Sequence, residues 1–170
     1  MGLAQLIEHD YCIGCGACTA ASPSLKVRFD AFGKYKVDRT DPPEDEAGSL
    51  RACPFSNAGP NESEISLRLF GEDCERDDRL GHYRGLYAGH VSEGGFRAAA
   101  TSGGMITWLC SELLRKGVVD HVIQVQPGSD DDSDKLFSYG ISSTPEEVLA
   151  SAKSRYYPVE MSGVLAQVKA

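Results

Sequence analysis

No stretch of the chain runs to the roughly 18 consecutive apolar residues that a membrane-spanning helix needs, so no membrane span is expected. The first ten residues lack a basic segment followed by an apolar one, and no signal peptide is expected there. Gly2 invites comparison with a myristoylation site, but Leu6 stands where that motif needs Ser or Thr. Positive charge is also short: 17 Lys and Arg against 25 Asp and Glu give a formal net charge of -8. Nucleic-acid binding rests on Lys and Arg neutralising phosphates, so that balance argues against nucleic acid as a partner. These absences point to a cytoplasmic protein. Glutathione and thioredoxin keep thiols reduced in that compartment, which turns its six cysteines towards metal or redox chemistry rather than a disulfide framework.

The composition, 41% hydrophobic and 25% charged, is that of a globular protein. At 170 residues there is room for a small cofactor module and most of a second unit. The most specific pattern is Cys12-Ile13-Gly14-Cys15-Gly16-Ala17-Cys18 with a distant Cys53-Pro54. Three thiolates at spacing three, completed by a cysteine that precedes proline, match the ligand set of a 4Fe-4S cluster. Gly14 and Gly16 can take left-handed conformations and bring backbone N–H groups towards the sulfurs. In the two-cluster ferredoxin run a fourth cysteine follows after three residues and precedes proline; here Ser22 holds that place before Pro23. One cluster is therefore predicted, on Cys12, Cys15, Cys18 and Cys53. A structural zinc site is the rival, but its ligands come more often as two separated pairs, and Cys53 has no partner two residues away.

Beyond the third cysteine, alternation over Leu25–Phe29 and Lys34–Asp38 around Asp30-Ala31-Phe32-Gly33 predicts a hairpin. The acidic, proline-bearing stretch 41–46 reads as a loop that returns the chain to Cys53. Asn61 with Glu64 reads as a capping box opening a short helix that buries Ile65, Leu67, Leu69 and Phe70 and stops at Gly71. Cys74 lies in the charged run 71–79, where carboxylates disfavour the thiolate, and is read as incidental.

Gly85–Val91 reads as a strand. Thr101-Ser102-Gly103-Gly104 then opens a helix whose Met105, Ile106, Leu109, Cys110, Leu113 and Leu114 share one face, with Arg115 and Lys116 at its negative end and Gly117 as its stop. No Glu or Gln stands three residues after Ser102. The first N–H groups of this helix are thus open to an anion such as the phosphate of a nucleotide-bearing cofactor, although a tight backbone turn explains the same residues. Trp108 and Cys110 read as packing residues, and His82, His90 and His121 show no ligand spacing. A buried strand is expected over 118–125 and another over 136–141. The acidic run 130–134 lacks the glycine and closing Glu of a calcium loop and reads as a solvated loop. Thr144-Pro145-Glu146-Glu147 carries every signal of a helix start. Behind it, Lys153, Arg155, Tyr156 and Tyr157 either complement the helix end or form a cationic, aromatic edge for a phosphate or a flat ring.

Taken in order, C-x2-C-G-x-C with a distal Cys-Pro, Ala-Thr-Ser-Gly-Gly-x-x-Thr and Ser-Arg-Tyr resemble the β-subunit family of coenzyme F420 hydrogenases and dehydrogenases, iron–sulfur flavoproteins that use FAD. The resemblance implies flavin contacts from Thr101, Ser102, Gly103, Gly104 and Thr107, with Arg155 and Tyr156 near the same pocket. It implies an α+β chain: a small ferredoxin-like iron–sulfur module at 1–83, then an incomplete α/β flavin-binding domain at 84–170. The function implied is an oxidoreductase subunit that passes electrons between the cluster and FAD, with a redox partner protein and a small-molecule hydride donor or acceptor such as a deazaflavin. The alternative is a noncatalytic, ferredoxin-like electron-transfer module serving a partner enzyme. No catalytic acid or base is identified.

Overall fold

A computed structural model describes residues 1–38, 40, 42–71, 73–128 and 135–169. The acidic run 130–134, like Asp41 and Glu72 in the two charged stretches, lies outside the described residues.

The first part is organised on one small core. Helix α1 (Leu3–Glu8) buries Leu3 and Leu6 on one face, and Leu3 packs with Cys18, Leu25 and Val37. A short 3-10 turn, Ala17–Ala20, carries Cys18 inwards. The predicted hairpin is present: β1 (Lys26–Phe29) pairs antiparallel with β2 (Tyr35–Asp38), and the Asp30 carboxylate accepts from the N–H groups of Phe32 and Lys34 to close its turn. Alternation in β2 buries Tyr35 and Val37, as a two-residue side-chain period requires. Helix α2 (Glu46–Ala52), capped by the Asp45 carboxylate, occupies the return to Cys53 that the sequence reading left as a connection.

Helix α3 (Glu62–Phe70) has the predicted Asn61/Glu64 capping box and ends at Gly71 with φ 63°. Its apolar residues are not buried, however: Leu67, Leu69 and Phe70 all face solvent. A capping box acts within one turn and fixes a helix start, whereas burial needs a second surface that the local sequence does not specify. A small antiparallel pair, β3 (Glu75–Asp77) and β4 (Gly81–Tyr83), follows.

The strand expected over Gly85–Val91 does not form; no neighbouring strand pairs with it among the described residues, and Leu86 and Tyr87 are exposed. Helix α4 (Phe96–Ala99) leads through the glycine turn into α5 (Met105–Arg115), which stops where Gly117 takes φ 61°. The strand expected at 118–125 begins four residues later, as β5 (Val122–Pro127), and pairs antiparallel with β6 (Phe137–Ser142) from Val122↔Ser142 to Pro127↔Phe137. Helix α6 (Pro145–Ala150) has the predicted box of Thr144 and Glu147, and α7 (Ser162–Lys169) closes the described chain.

The chain is thus α+β, with three separate two-stranded sheets among the described residues. The parallel sheet of an α/β domain is not among them. A parallel pair needs a crossover of a dozen residues or more, and β5 and β6 are joined by the short segment 128–136. Its accessible surface, 11589 Å², exceeds the roughly 8,100 Å² of a compact protein of 18.3 kDa. Met105, Ile106 and Leu109 contribute to that excess, so the first half of the α5 face expected to be core is open, while Cys110, Leu113 and Leu114 are half-buried. No helix among the described residues is long and apolar enough to cross a membrane.

Candidate functional site

Cys12, Cys15, Cys18 and Cys53 line a single narrow cavity whose other walls are Leu3, Leu6, Ile7, Ile13, Val37 and Phe55. Those walls come from α1, β2, the loop before the 3-10 turn and the loop after α2, so the core of the first part and the thiol cavity are one construction. Gly14 and Gly16 both adopt the left-handed conformation, at φ 71° and 79°. All six cysteines are unpaired.

Two serines hold the cysteine-bearing elements in register. The Ser49 hydroxyl, on α2, donates to the Cys18 carbonyl at 3.0 Å and lies 3.0 Å from the Ser22 hydroxyl. Ser22 in turn accepts from the Asp45 N–H at 2.9 Å and reaches its carbonyl at 3.2 Å. Both serines are fully buried. The residue that replaces a second-cluster ligand is thus a strut between the Cys18 turn and the start of α2, and the far end of α2 presents Cys53. Sequence reasoning missed Ser49, because a serine inside a helix carries no signal of a tertiary partner. On the solvent side, the Lys36 ammonium donates to the Cys12 carbonyl at 2.7 Å and to Asp10 at 2.8 Å; the Asp10 hydrogen bond holds it protonated above its ordinary range.

Burial pushes the Cys18 thiol up to about 11, and the neighbouring charges of Cys15, Cys12 and Cys53 push in the same direction. Alkylation requires the thiolate, so in the metal-free chain Cys18 is expected to react with iodoacetamide about a hundredfold more slowly at pH 8 than an ordinary thiol. Mass-spectrometric timing of modification at each cysteine checks this; equal rates at Cys12 and Cys18 would contradict it.

A second cavity, of about 470 Å³, is lined by Thr101, Ser102, Gly103, Gly104, Thr107 and Arg155 together with Gly89, Met105, Ile106, Gln124 and residues 151–154. Six of the seven residues expected at a flavin therefore share one wall, although more than fifty positions separate Thr101 from Arg155. The join is direct: the Ser154 N–H donates to the Thr101 hydroxyl at 3.0 Å. Lys153, left-handed at φ 83°, turns the chain there. Tyr156 is the exception. Arg155 and Tyr157 both meet Phe137, and Tyr156 between them points outward, 90% exposed.

The glycines of the turn have a structural task. A Cβ on Gly103 would stand 2.8 Å from the Gly89 carbonyl oxygen, and one on Gly104 would stand 2.7 Å from that of Phe96. Val91 N–H donates to the Gly103 carbonyl at 2.9 Å, so here backbone does meet backbone. Gly104 caps α5 without any side-chain bond, and Gly104, Met105, Ile106 and Thr107 line the cavity. Arg155 is the other polar feature. Its guanidinium lies 5.2 Å from the Phe137 ring centroid and donates to the Lys153 carbonyl, while its Nε–H is buried without an acceptor among the described residues. Leaving a buried donor unpaired costs about 1–3 kcal/mol.

The family described as coenzyme F420 hydrogenase/dehydrogenase, beta subunit N-term, matches residues 86–166. This part of the chain is similar to that family. The match spans the second cavity from Gly89 to Arg155 and stops short of all four cluster cysteines, so it bears on the cavity and leaves the thiols to be argued from their own geometry. The family is one of redox-enzyme subunits. A comparison with curated proteins gives no match.

The donor set of the first cavity was tested against the two groups it could hold. Among the described residues no three or more His, Cys, Asp or Glu side chains gather as ligands of one metal ion. A zinc ion with sulfur ligands at about 2.3 Å needs its thiolates nearly in contact. A cluster takes an all-thiolate, soft donor set. Four thiols around one apolar cavity, with no acidic or imidazole side chain in its wall, fit the cluster.

Proposed function

We propose that this chain is the electron-transferring part of an iron–sulfur flavoprotein. Cys12, Cys15, Cys18 and Cys53 would hold one 4Fe-4S cluster, and Thr101, Ser102, Gly103, Gly104, Thr107 and Arg155 would hold FAD, with Tyr156 at the outer rim. The observation that carries this reading is the convergence of the four cysteines on one apolar cavity. The division into an iron–sulfur module at 1–83 and a flavin-binding part at 84–170 follows from it, as does a cytoplasmic setting that keeps the thiols free.

When bound, a flavin supplies hydride chemistry in two-electron steps and releases electrons singly, to match a cluster that carries one at a time. The chain's own residues bind and orient. The uncapped start of α5 and the Arg155 guanidinium present positive potential to a phosphate, and the Thr101 hydroxyl, by holding Ser154, keeps Arg155 at the cavity wall. Met105 and Ile106 give that wall an apolar stretch suited to a flat ring. A deazaflavin or another small hydride donor or acceptor is the substrate class, and the open α5 face suits a redox partner subunit.

Anaerobic reconstitution with iron and sulfide tests the cluster: the expected product has broad visible absorption and about four irons per chain. A colourless zinc protein would sink the reading. Titration with FAD tests the second site, where Arg155→Met should weaken binding by about tenfold, the worth of a charge-assisted hydrogen bond. A reducible cluster in a chain that takes up no FAD would instead favour the ferredoxin-like module.

A further inference from the structure

We propose that Glu160 sets the reduction potential of the cluster as a fixed negative charge laid against the Cys15-Gly16 loop. The inference rests on the cluster assignment above. Segment 158–161 crosses from the second cavity to the first, and the Met161 N–H donates to the Cys15 carbonyl at 2.9 Å. Directly beside that bond, a Cβ on Gly16 would meet Glu160 Oε2 at 2.9 Å and the Ser162 N–H nitrogen at 3.0 Å. The carboxylate therefore touches the backbone between two cluster ligands, far from both in sequence.

Its surroundings keep the charge effective. The Glu160 side chain is only 8% exposed, so water and salt screen it little. Oε2 accepts from the Ser162 N–H at 2.7 Å, which fixes the carboxylate in place. Among the described residues the cation paired with it is Lys135, which stands 3.8 Å from Oε1 and is itself 34% exposed, a long and wetter contact that offsets the charge in part. On the opposite side of the loop, Lys36 bonds the Cys12 carbonyl but shares its charge with Asp10. Burying a carboxylate is costly, and one hydrogen bond with a long ion pair is a thin structural return for it. Reduction adds one electron to the cluster with no bond made or broken, the electron coming from the flavin or a partner. A neighbouring carboxylate opposes that added negative charge, while a neighbouring ammonium favours it.

Redox titration of the reconstituted chain, followed by the paramagnetic signal of the reduced cluster, decides the matter. Glu160→Gln keeps an acceptor for Ser162 and removes the charge. The reduced-to-oxidised ratio at fixed potential should rise about tenfold, an upward shift of about 59 mV for one electron. Lys135→Gln should move the potential the other way by a smaller amount. Unchanged potentials in either variant at full iron and sulfide content would overturn the proposal. If Glu160→Gln fails to hold its cluster, the sign of the Lys135→Gln shift carries the decision alone. A wild-type chain that takes up no iron and sulfide fails at the earlier step and overturns the cluster reading along with the inference.

Discussion

Cys53→Ser is expected to leave the chain folded and to abolish the four-iron stoichiometry and visible absorption of the reconstituted protein. Cys53 sits at the C-terminal end of α2, where its N–H donates to the Leu50 carbonyl at 3.1 Å and its own carbonyl accepts from Ser56. Serine keeps both backbone bonds and nearly the same volume, so the change in folding stability should stay within about 1 kcal/mol. What it removes is a soft thiolate, and a hydroxyl does not replace that ligand for iron. The position also admits no easy substitute. Cys74 and Cys110 lie outside the cavity wall, and α2 is pinned by Ser49 and Ser22 rather than free to swing. Iron and sulfide analysis beside thermal melting of the apo chain checks both halves. Full iron content in the variant would mean that the fourth ligand lies elsewhere.

Gly14→Ala is expected to lower stability by about 2–5 kcal/mol, the sum of a left-handed penalty of about 1–2 and an overpacking penalty of about 1–3. Gly14 has φ 71°, and an added Cβ would stand 2.0 Å from the Tyr35 carbonyl oxygen and 2.4 Å from its carbon. Those atoms belong to β2, which is registered against β1 and whose Tyr35 ring stacks on Phe29 at 4.0 Å between centroids, so the strand cannot withdraw cheaply. Against a typical total of 5–15 kcal/mol this is a large fraction, and cluster uptake should fail with it. Gly33→Ala is the internal control. It shares φ 71° but has nothing within 4 Å, so only the conformational penalty of about 1–2 kcal/mol should appear. Urea midpoints of the two variants separate strain from clash; equal losses would show that the contact with Tyr35 yields.

Much of the local structure was legible because its causes are local. The capping boxes at Asn61/Glu64 and Thr144/Glu147, the turn at Asp30 and the stop at Gly117 each depend on residues within one or two turns of chain. The left-handed glycines of the cysteine loop were legible for the same reason. Failures began where a segment needed a distant surface. Gly85–Val91 has the composition of a strand and, among the described residues, no strand beside it, and α5 has an apolar face with Met105, Ile106 and Leu109 open. Periodicity states which residues could share a face, and nothing in it supplies the opposing one.

The sequence by itself supplied four cysteines, their spacing, and a serine where the two-cluster run has its fourth cysteine. It also named the glycine turn and the Ser-Arg-Tyr segment. Only the tertiary structure decided how these meet. It placed the four thiols around one apolar cavity, turned Ser22 and Ser49 into the strut that fixes α2, and joined Thr101 to Ser154 across the second cavity. It sent Tyr156 outward and laid Glu160 on the Cys15-Gly16 loop. Spacing along a chain fixes which atoms can reach a common centre through short loops. Contacts between segments a hundred or more residues apart depend on how helices and strands close on one another, and that closure is written in no single stretch of residues.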